Sequence, residues 1–535
     1  MTEGPVGGGA QGAAPLDSRA VTSPPSSSAP ALRSSAVDRP RASLLGRRFV
    51  VVGALRGVPL AAWVCALIAL LNAVSWSLIV PPFQGKDEAD HFAYVEDLVE
   101  NHVLPENGQQ NGVYSAEEQI VLNAVRYPQV THSPQNLAIT SLAQQHTLTE
   151  ALHANNSLTG SGEAGIATSE PPLYYALQII PYEIGRGNIL VQLQLMRLVG
   201  ALFGALTALF TFLFVREVMP RERWAATIGA LCVALQPLLA FMSGSVNPDS
   251  MLFGEAAAIF FCLARALRRG LTPRLAVALG AIIAAGFLTK LNFVGFAFGV
   301  FVGIVVLAWR GIRASGWRGG IPAMIAAGIG VSPVLLYAFR NIALGHPLFG
   351  IVTGSSDLLS GKSLLDELSY LWEIYLPRLP GMTHYFEGIL TSKDIWFDRS
   401  VGLYGWMDTM FPVWVDNVAL VPAAVVAALC GRELFARRHV LRARWAELSI
   451  YTIITLGVLV MIGISSYISD ALGGGPAFGE PRYLLPMLPL FGAALALAVR
   501  GAGRRWAPVV GAALVVLIFG YDIVSQLQVV ARYYG

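Results

Sequence analysis

Residues 63–94 read WVCALIALLNAVSWSLIVPPFQGKDEADHFAY. The first half carries no charge, and the run that contains it, near 57–80, reaches the roughly 20 apolar residues a helix needs to cross a bilayer. Pro81 and Pro82 end that helix. Gln84 then opens a segment of opposite character, with Lys86, Asp87, Glu88, Asp90 and His91 close together. A new helix is predicted to start near Asp87. The junction therefore predicts a lipid-spanning helix followed at once, at membrane level, by chemically rich polar chain.

The rest of the chain repeats the first half of that pattern. Of 535 residues, 54% are hydrophobic and only 13% charged, against about 25% charged in a soluble chain. Much of the surface must face lipid. Cys65, Cys232, Cys262 and Cys430 all fall in apolar runs and read as small buried hydrophobes, not disulfides or metal ligands. Residues 1–45 are rich in Gly, Ala, Ser and Pro. They are too poor in apolar bulk to order themselves and read as a disordered cytoplasmic tail ahead of a membrane domain over 46–535.

About eleven spans are predicted, near 57–80, 192–215, 224–243, 250–267, 275–290, 292–309, 321–339, 412–431, 446–468, 483–499 and 506–527. Arginines crowd alternate connections, around Arg48, Arg221, Arg268, Arg313, Arg438 and Arg505. The positive-inside rule then puts the N-terminus in the cytoplasm. Two long polar segments, 81–191 and 341–411, fall on the outer side of a multi-pass plasma-membrane protein. The apolar stretch Pro171–Ile184 reads as a helix lying in the outer interface, with Tyr174, Tyr175 and Tyr182 at headgroup level, because an extra span would invert every later loop.

The outer segments hold the candidate chemistry. At helical spacing Asp87, Asp90 and His91 share a face, and Glu88 neighbours His91. Such a group suits a general base, a metal site, or both; acids at a helix start also simply favour the macrodipole. Glu170, before Pro171-Pro172, could serve the site or be another helix-start acid. Asn247 and Asp249 lie in a turn between spans, where ordinary turn chemistry accounts for them. Trp406 and Asp408 lead into the eighth span, in an aromatic belt or lining a sugar or lipid groove. Arg186, Arg197, Lys290, Arg340 and Arg482 fall at the outer ends of spans. Each alone could snorkel to headgroups. Together, at one face and beside an acidic cluster, they suit a lipid phosphate, which arginine grips bidentately. A Gly473-Gly474-Gly475 run is a weak phosphate candidate, since no helix signal follows it.

The stretches Lys86–Tyr94, Glu170–Tyr175, Ser243–Asp249, Leu288–Lys290, Tyr404–Thr409 and Pro481–Pro486 resemble the DUF2142 family of bacterial membrane proteins, and the chain looks related to the C-type (GT-C) glycosyltransferase superfamily. Pro481 stands where the family usually has glycine before Arg482-Tyr483. The resemblance implies an all-α, GT-C-like polytopic fold with two interfacial helices in a large first outer loop. It implies a catalytic acid soon after the first span, here Asp87 with Glu88 as the adjacent alternative, and a polyprenyl-phosphate sugar donor. Some members of the superfamily use a divalent metal and others do not; Asp87, Glu88, Asp90 and His91 carry suitable donor atoms, and none is assigned.

The expectation is a membrane glycosyltransferase moving a sugar from a polyprenyl phosphate to a cell-envelope acceptor on the outer face, with no nucleic-acid partner. Asp87 would be general base, aided by Glu88, and Lys290, Arg340 and Arg482 would hold the lipid phosphate. Lys86, Asp90, His91, Glu170, Asn247, Asp249, Trp406, Asp408 and Tyr483 would complete the substrate site. The alternative is a transporter or flippase for a lipid-linked saccharide, in which the same charges bind cargo. The absence of an internal repeat speaks against it.

Overall fold

The structure is a computed structural model that describes residues 57–105, 114–138, 142–154, 165–343, 364–382, 385, 392–471 and 480–535. The chain divides into two units, Met1–Gly57 and Val58–Gly535. The expected tail over 1–45 and the glycine run at 473–475 lie outside the described residues, as do parts of both long polar segments.

The described residues are almost wholly helical. In chain order they form α1 (Leu60–Ile79), α2 (Glu88–Glu96), α3 (Ala116–Ala124), α4 (Leu142–Ala154), α5 (Leu173–Ile184), α6 (Ile189–Val218), α7 (Arg223–Ala234), α8 (Pro237–Ser243), α9 (Asp249–Arg269) and α10 (Pro273–Thr289). There follow α11 (Phe293–Ser315), α12 (Ile321–Ala343), α13 (Leu364–Tyr375), α14 (Val413–Ala436), α15 (Arg438–Ala443), α16 (Trp445–Ala471), α17 (Leu488–Gly501) and α18 (Ala507–Tyr534). A two-strand ribbon pairs Leu403–Tyr404 with Thr409–Met410 in antiparallel register.

Among the described residues nine helices are long and apolar enough to cross a membrane, or ten if α7 and α8 form one span bent by 60°. Eleven were expected. The difference lies at α10, which falls on the expected span at 275–290 but is an apolar helix of 17 residues. The bend has a local cause: Pro237 cannot continue α7, and the Gln236 side chain accepts from the Leu239 N–H to restart the helix.

α9 is the central helix, with 83% of its apolar window buried inside the protein. It packs along α6, which also packs on α1, while α10 pairs with α12 and α11 with α16. Lipid tails are as apolar as leucine, so such pairs gain from close packing rather than from leaving water. Accordingly a Cβ on Gly295 of α11 would come within 2.7 Å of the Gly457 carbonyl of α16. At the Arg268 end of α9, Arg268 meets Glu447 at 2.9 Å and Arg269 meets Glu217 at 2.7 Å. Nearby, Arg500 of α17 meets Glu222, just before α7, and Glu433 of α14. The candidate site lies at the opposite, Asp249 end.

The first long polar segment folds back onto that end. α2, α3, α5 and the start of α6 share a core that includes Phe92, Tyr94, Val121, Tyr174, Tyr175, Tyr182 and Met196. The three tyrosines of α5 are buried, and its exposed large apolar side chains are Leu177, Ile180 and Ile184. They recur at the three- and four-residue spacing of one helix face, so the helix presents aliphatic side chains outward and packs its aromatic ones against α2.

Candidate functional site

Helix ends converge at the site. Asp87 precedes α2, Glu170 precedes α5, Asp249 opens α9, Lys290 and Asn292 lie in the break between α10 and α11, and Arg482 lies in the 3-10 turn Pro481–Met487 before α17. Several of these ends are N-termini, whose free N–H groups favour anions.

Asp87 sits in the left-handed region at φ 60°, and its carboxylate caps nothing. Macrodipole pairing alone therefore does not account for this acid. The carboxylate instead meets Lys86 at 2.8 Å and Arg482 at 3.5 Å. Burial works to raise its pKa, but the Lys86 ammonium and the Arg482 guanidinium outweigh it and hold the carboxyl at about 2. Lys290 meets Asp249 at 2.6 Å and Glu170 at 3.7 Å. Burial opposes the lysine charge, yet Asp249 and Glu170 push its pKa above the ordinary range. Burial raises the Glu170 carboxyl, with Lys290 pulling the other way. Arg482 also meets Glu480 at 2.7 Å and donates to the Tyr483 hydroxyl at 3.0 Å.

Apart from Arg482 Nε and Glu480 Oε2, which meet each other, two buried polar atoms in this group lack a hydrogen-bond partner: Nη1 of Arg482 and Oδ2 of Asp249. Both residues line one narrow cavity, together with Tyr483, Asn292 and the apolar side chains of Leu252, Phe253, Phe293, Phe296, Val458, Met461 and Pro486. The cavity thus offers a guanidinium donor and a carboxylate acceptor at its polar side, and aromatic and aliphatic walls elsewhere.

The structure separates the other expected residues from this cavity. Glu88, the expected helper of Asp87, is fully buried and held by Arg197, whose Nε donates to Oε1 at 2.8 Å. It also accepts from the Val246 N–H at 2.9 Å. Arg197 further donates to the carbonyls of Ser77, Val80 and Pro81. Neither group is left to hold a ligand. This pair ties the end of α1 to α2, α6 and the turn before α9, and Gly200 on α6 admits that turn, since a Cβ there would lie 2.7 Å from the Ser243 carbonyl. Arg340 is exposed and pairs with none of the cluster, and Arg186 is spent on Glu100 and Glu183.

Asp90 accepts from the Tyr114 hydroxyl at 3.2 Å. Burial and the Asp87 charge raise its pKa to about 6. His91 Nδ1 lies 2.9 Å from the Tyr175 hydroxyl, and burial lowers its pKa to about 3, so the ring is neutral. Asn247 performs turn chemistry: its Oδ1 accepts from the Asp249 N–H at 2.9 Å, while Nδ2 donates to the Lys86 carbonyl at 3.2 Å. That amide aligns the two acidic segments. Trp406 is buried and donates to Gln84 Oε1 at 2.8 Å, with the Lys86 ammonium 5.5 Å from its ring. Asp408 lies 3.5 Å from Arg532 near the end of α18. Among the described residues no group of three or more His, Cys, Asp or Glu side chains is placed to hold a metal ion. Asp87, Glu88, Asp90 and His91 are each drawn to different partners.

Sequence reading did not single out Glu480, Tyr114 or Arg532. Glu480 was discoverable as the acid directly before Pro481-Arg482. Tyr114 and Arg532 carried no local signal, since they lie 24 and 124 residues from the Asp90 and Asp408 they meet.

A sequence profile of the family described as "Predicted membrane protein (DUF2142)" matches residues 70–491. No curated protein matches. Two solved structures of the oligosaccharyltransferase of Archaeoglobus fulgidus are similar, one in the apo form and one tethered with an acceptor peptide containing the NVT sequon via a disulfide bond. Each has 14% sequence identity and a TM-score of 0.41, covering 89% and 88% of this chain and 55% and 56% of the other. The chain thus spans about half the length of the structures it matches.

Proposed function

The chain belongs to the DUF2142 family of predicted membrane proteins, and on that premise we propose that it is a membrane glycosyltransferase that takes its sugar from a polyprenyl phosphate. The observation that carries this reading is the cavity at Asp249 and Arg482. A buried guanidinium donor and a buried carboxylate acceptor lack partners there, beside walls of Phe253, Phe293, Phe296, Val458 and Met461. A buried polar group without a partner costs about 1–3 kcal/mol, and two at one cavity fit a ligand that completes them. An amphiphile with an anionic group, hydroxyls and an apolar chain has the right chemistry.

In this reading Arg482 and Lys290 hold the phosphate, Asp249 accepts from a sugar hydroxyl, and the carrier chain lies along the aromatic wall. An acceptor hydroxyl attacks the anomeric carbon, the bond from that carbon to the phosphate oxygen breaks, and the phosphate leaves on the carrier. The hydroxyl proton goes to Asp87. A carboxylate held at about 2 is a weak base at rest. Phosphate drawing Arg482 away from Asp87 raises its proton affinity, which couples base strength to donor binding. The site faces outward in this proposal, because the arginine-rich loops belong to the other end, and the acceptor is a cell-envelope glycan, lipid or protein hydroxyl in the plasma membrane.

Transfer from a labelled polyprenyl-phosphate sugar by protein in vesicles tests it. Asp87→Asn is expected to lower turnover by about 10²–10⁴-fold with donor binding retained, and unchanged turnover removes Asp87 from its role. The 60° bend between α7 and α8 favours a second reading, because transporters bind cargo at broken helices. Movement of a lipid-linked saccharide across proteoliposomes without bond cleavage would establish the transporter instead.

A further inference from the structure

At the other end of the molecule, the α14–α15–α16 connection gathers cations that no carboxylate neutralises. α15 carries Arg438, His439 and Arg442 along six residues. Arg437 beside it is paired with Glu433, which also takes Arg500. Arg438 and Arg442 are exposed and enter no ion pair among the described residues. With His439 and Ala436 they border an open depression on the surface.

The surroundings say what fits it. Phe435, 71% exposed, ends α14 on one side and Trp445, 68% exposed, opens α16 on the other. The Arg438 guanidinium lies 4.7 Å from the Phe435 ring. Large exposed aromatics at the ends of two spans mark the boundary between acyl chains and headgroups, so the cations beside them lie at phosphate depth. Among the described spans α14 has the least protein around it, with 6% of its apolar window buried. The depression is thus open to a lipid lying along α14.

We propose that Arg438, His439 and Arg442 form a binding site for the headgroup of an anionic phospholipid of the leaflet opposite the Asp87–Arg482 end. Two guanidinium groups grip a phosphodiester with paired N–H donors, His439 adds a third polar group, and the chains lie along the exposed face of α14. Basic pockets between spans take such headgroups on the cytoplasmic side, where the alternating arginine loops put this connection. The site is independent of the proposed transferase reaction.

The test is native mass spectrometry of the full chain extracted from vesicles of phosphatidylcholine with phosphatidylglycerol or cardiolipin. The protein is compared with R438Q/R442Q and with R313Q/R318Q, a control that removes the same charge from exposed arginines of another basic connection. Retained anionic lipid is expected to fall about tenfold or more in R438Q/R442Q and to stay unchanged in the control. Equal retention in all three proteins, or an equal fall in both variants, overturns the proposal. So does displacement of the lipid by millimolar inorganic phosphate, which would make this a site for free anions, and so does binding of a soluble acidic protein with no lipid retained.

Discussion

Asp87 and Glu88 are adjacent acids, both buried, and each meets an arginine far away in sequence, yet they belong to different kinds of place. Glu88 and Arg197 are completed by other protein groups: three carbonyls on the arginine and two backbone N–H groups on the carboxylate. Arg482, which meets Asp87, lines a cavity where a guanidinium nitrogen and an Asp249 oxygen are unmatched. A buried ion pair with every group satisfied holds a structure together. One left incomplete beside a cavity is poised for something else. Burial and charge do not tell the two apart; the hydrogen-bond inventory does.

The largest expected effect separates the two pairs by stability. Arg197→Ala leaves Glu88 buried without its ion-pair partner, at a cost of about 3–5 kcal/mol, and abolishes the cooperative thermal transition of detergent-solubilised protein. Arg482→Gln keeps Asp87 paired with Lys86 and Asp249 with Lys290 and takes an ion-pair partner only from Glu480, which is less enclosed than Glu88, so it lowers melting by less than Arg197→Ala does while donor binding is lost. Equal losses of stability in the two variants would erase the distinction.

A smaller effect tests whether unmatched buried oxygens always mark a ligand site. Glu96 Oε2 and both Glu118 oxygens are also unpartnered, but here like charges gather without a cation. Burial raises the Glu96 carboxyl from 4.5 to about 7 and raises Glu118 well above its ordinary value. The folded protein keeps a proton on Glu96 that the unfolded chain releases near pH 4.5. Between those values the folded state binds more protons, so stability falls as pH rises and levels off above about 7. Glu96→Gln is expected to melt like the parent near pH 4 and at higher temperature than the parent near pH 8; a parallel offset at both would show that Glu96 does not titrate in this window. The smallest effect is Trp406→Phe, which removes the bond to Gln84 at about 1 kcal/mol. It lowers the melting temperature slightly and leaves donor affinity unchanged; a weaker donor affinity would show that Lys86 depends on that ring.

Span limits were legible because crossing a bilayer is a matter of local composition. The run read near 57–80 is the helix Leu60–Ile79, and that near 446–468 lies within Trp445–Ala471. The bend in the third span was written in Gln236-Pro237 yet read as continuous, since mean hydropathy does not register one missing N–H. The burial of the α5 tyrosines was not legible for a related reason: an aromatic that suits the interface suits a core equally, and only α2 packing on them shows that they are enclosed.

Sequence by itself determined that this is a many-span membrane protein with acids directly after its first span, because transfer into lipid is summed residue by residue along the chain. Tertiary structure alone decided that Asp87 joins Arg482, 395 residues away, while Glu88 takes Arg197, 109 residues away. A carboxylate's role depends on which charges and unmatched donors surround it in space. Those neighbours are chosen by how the helices pack, which no local stretch encodes.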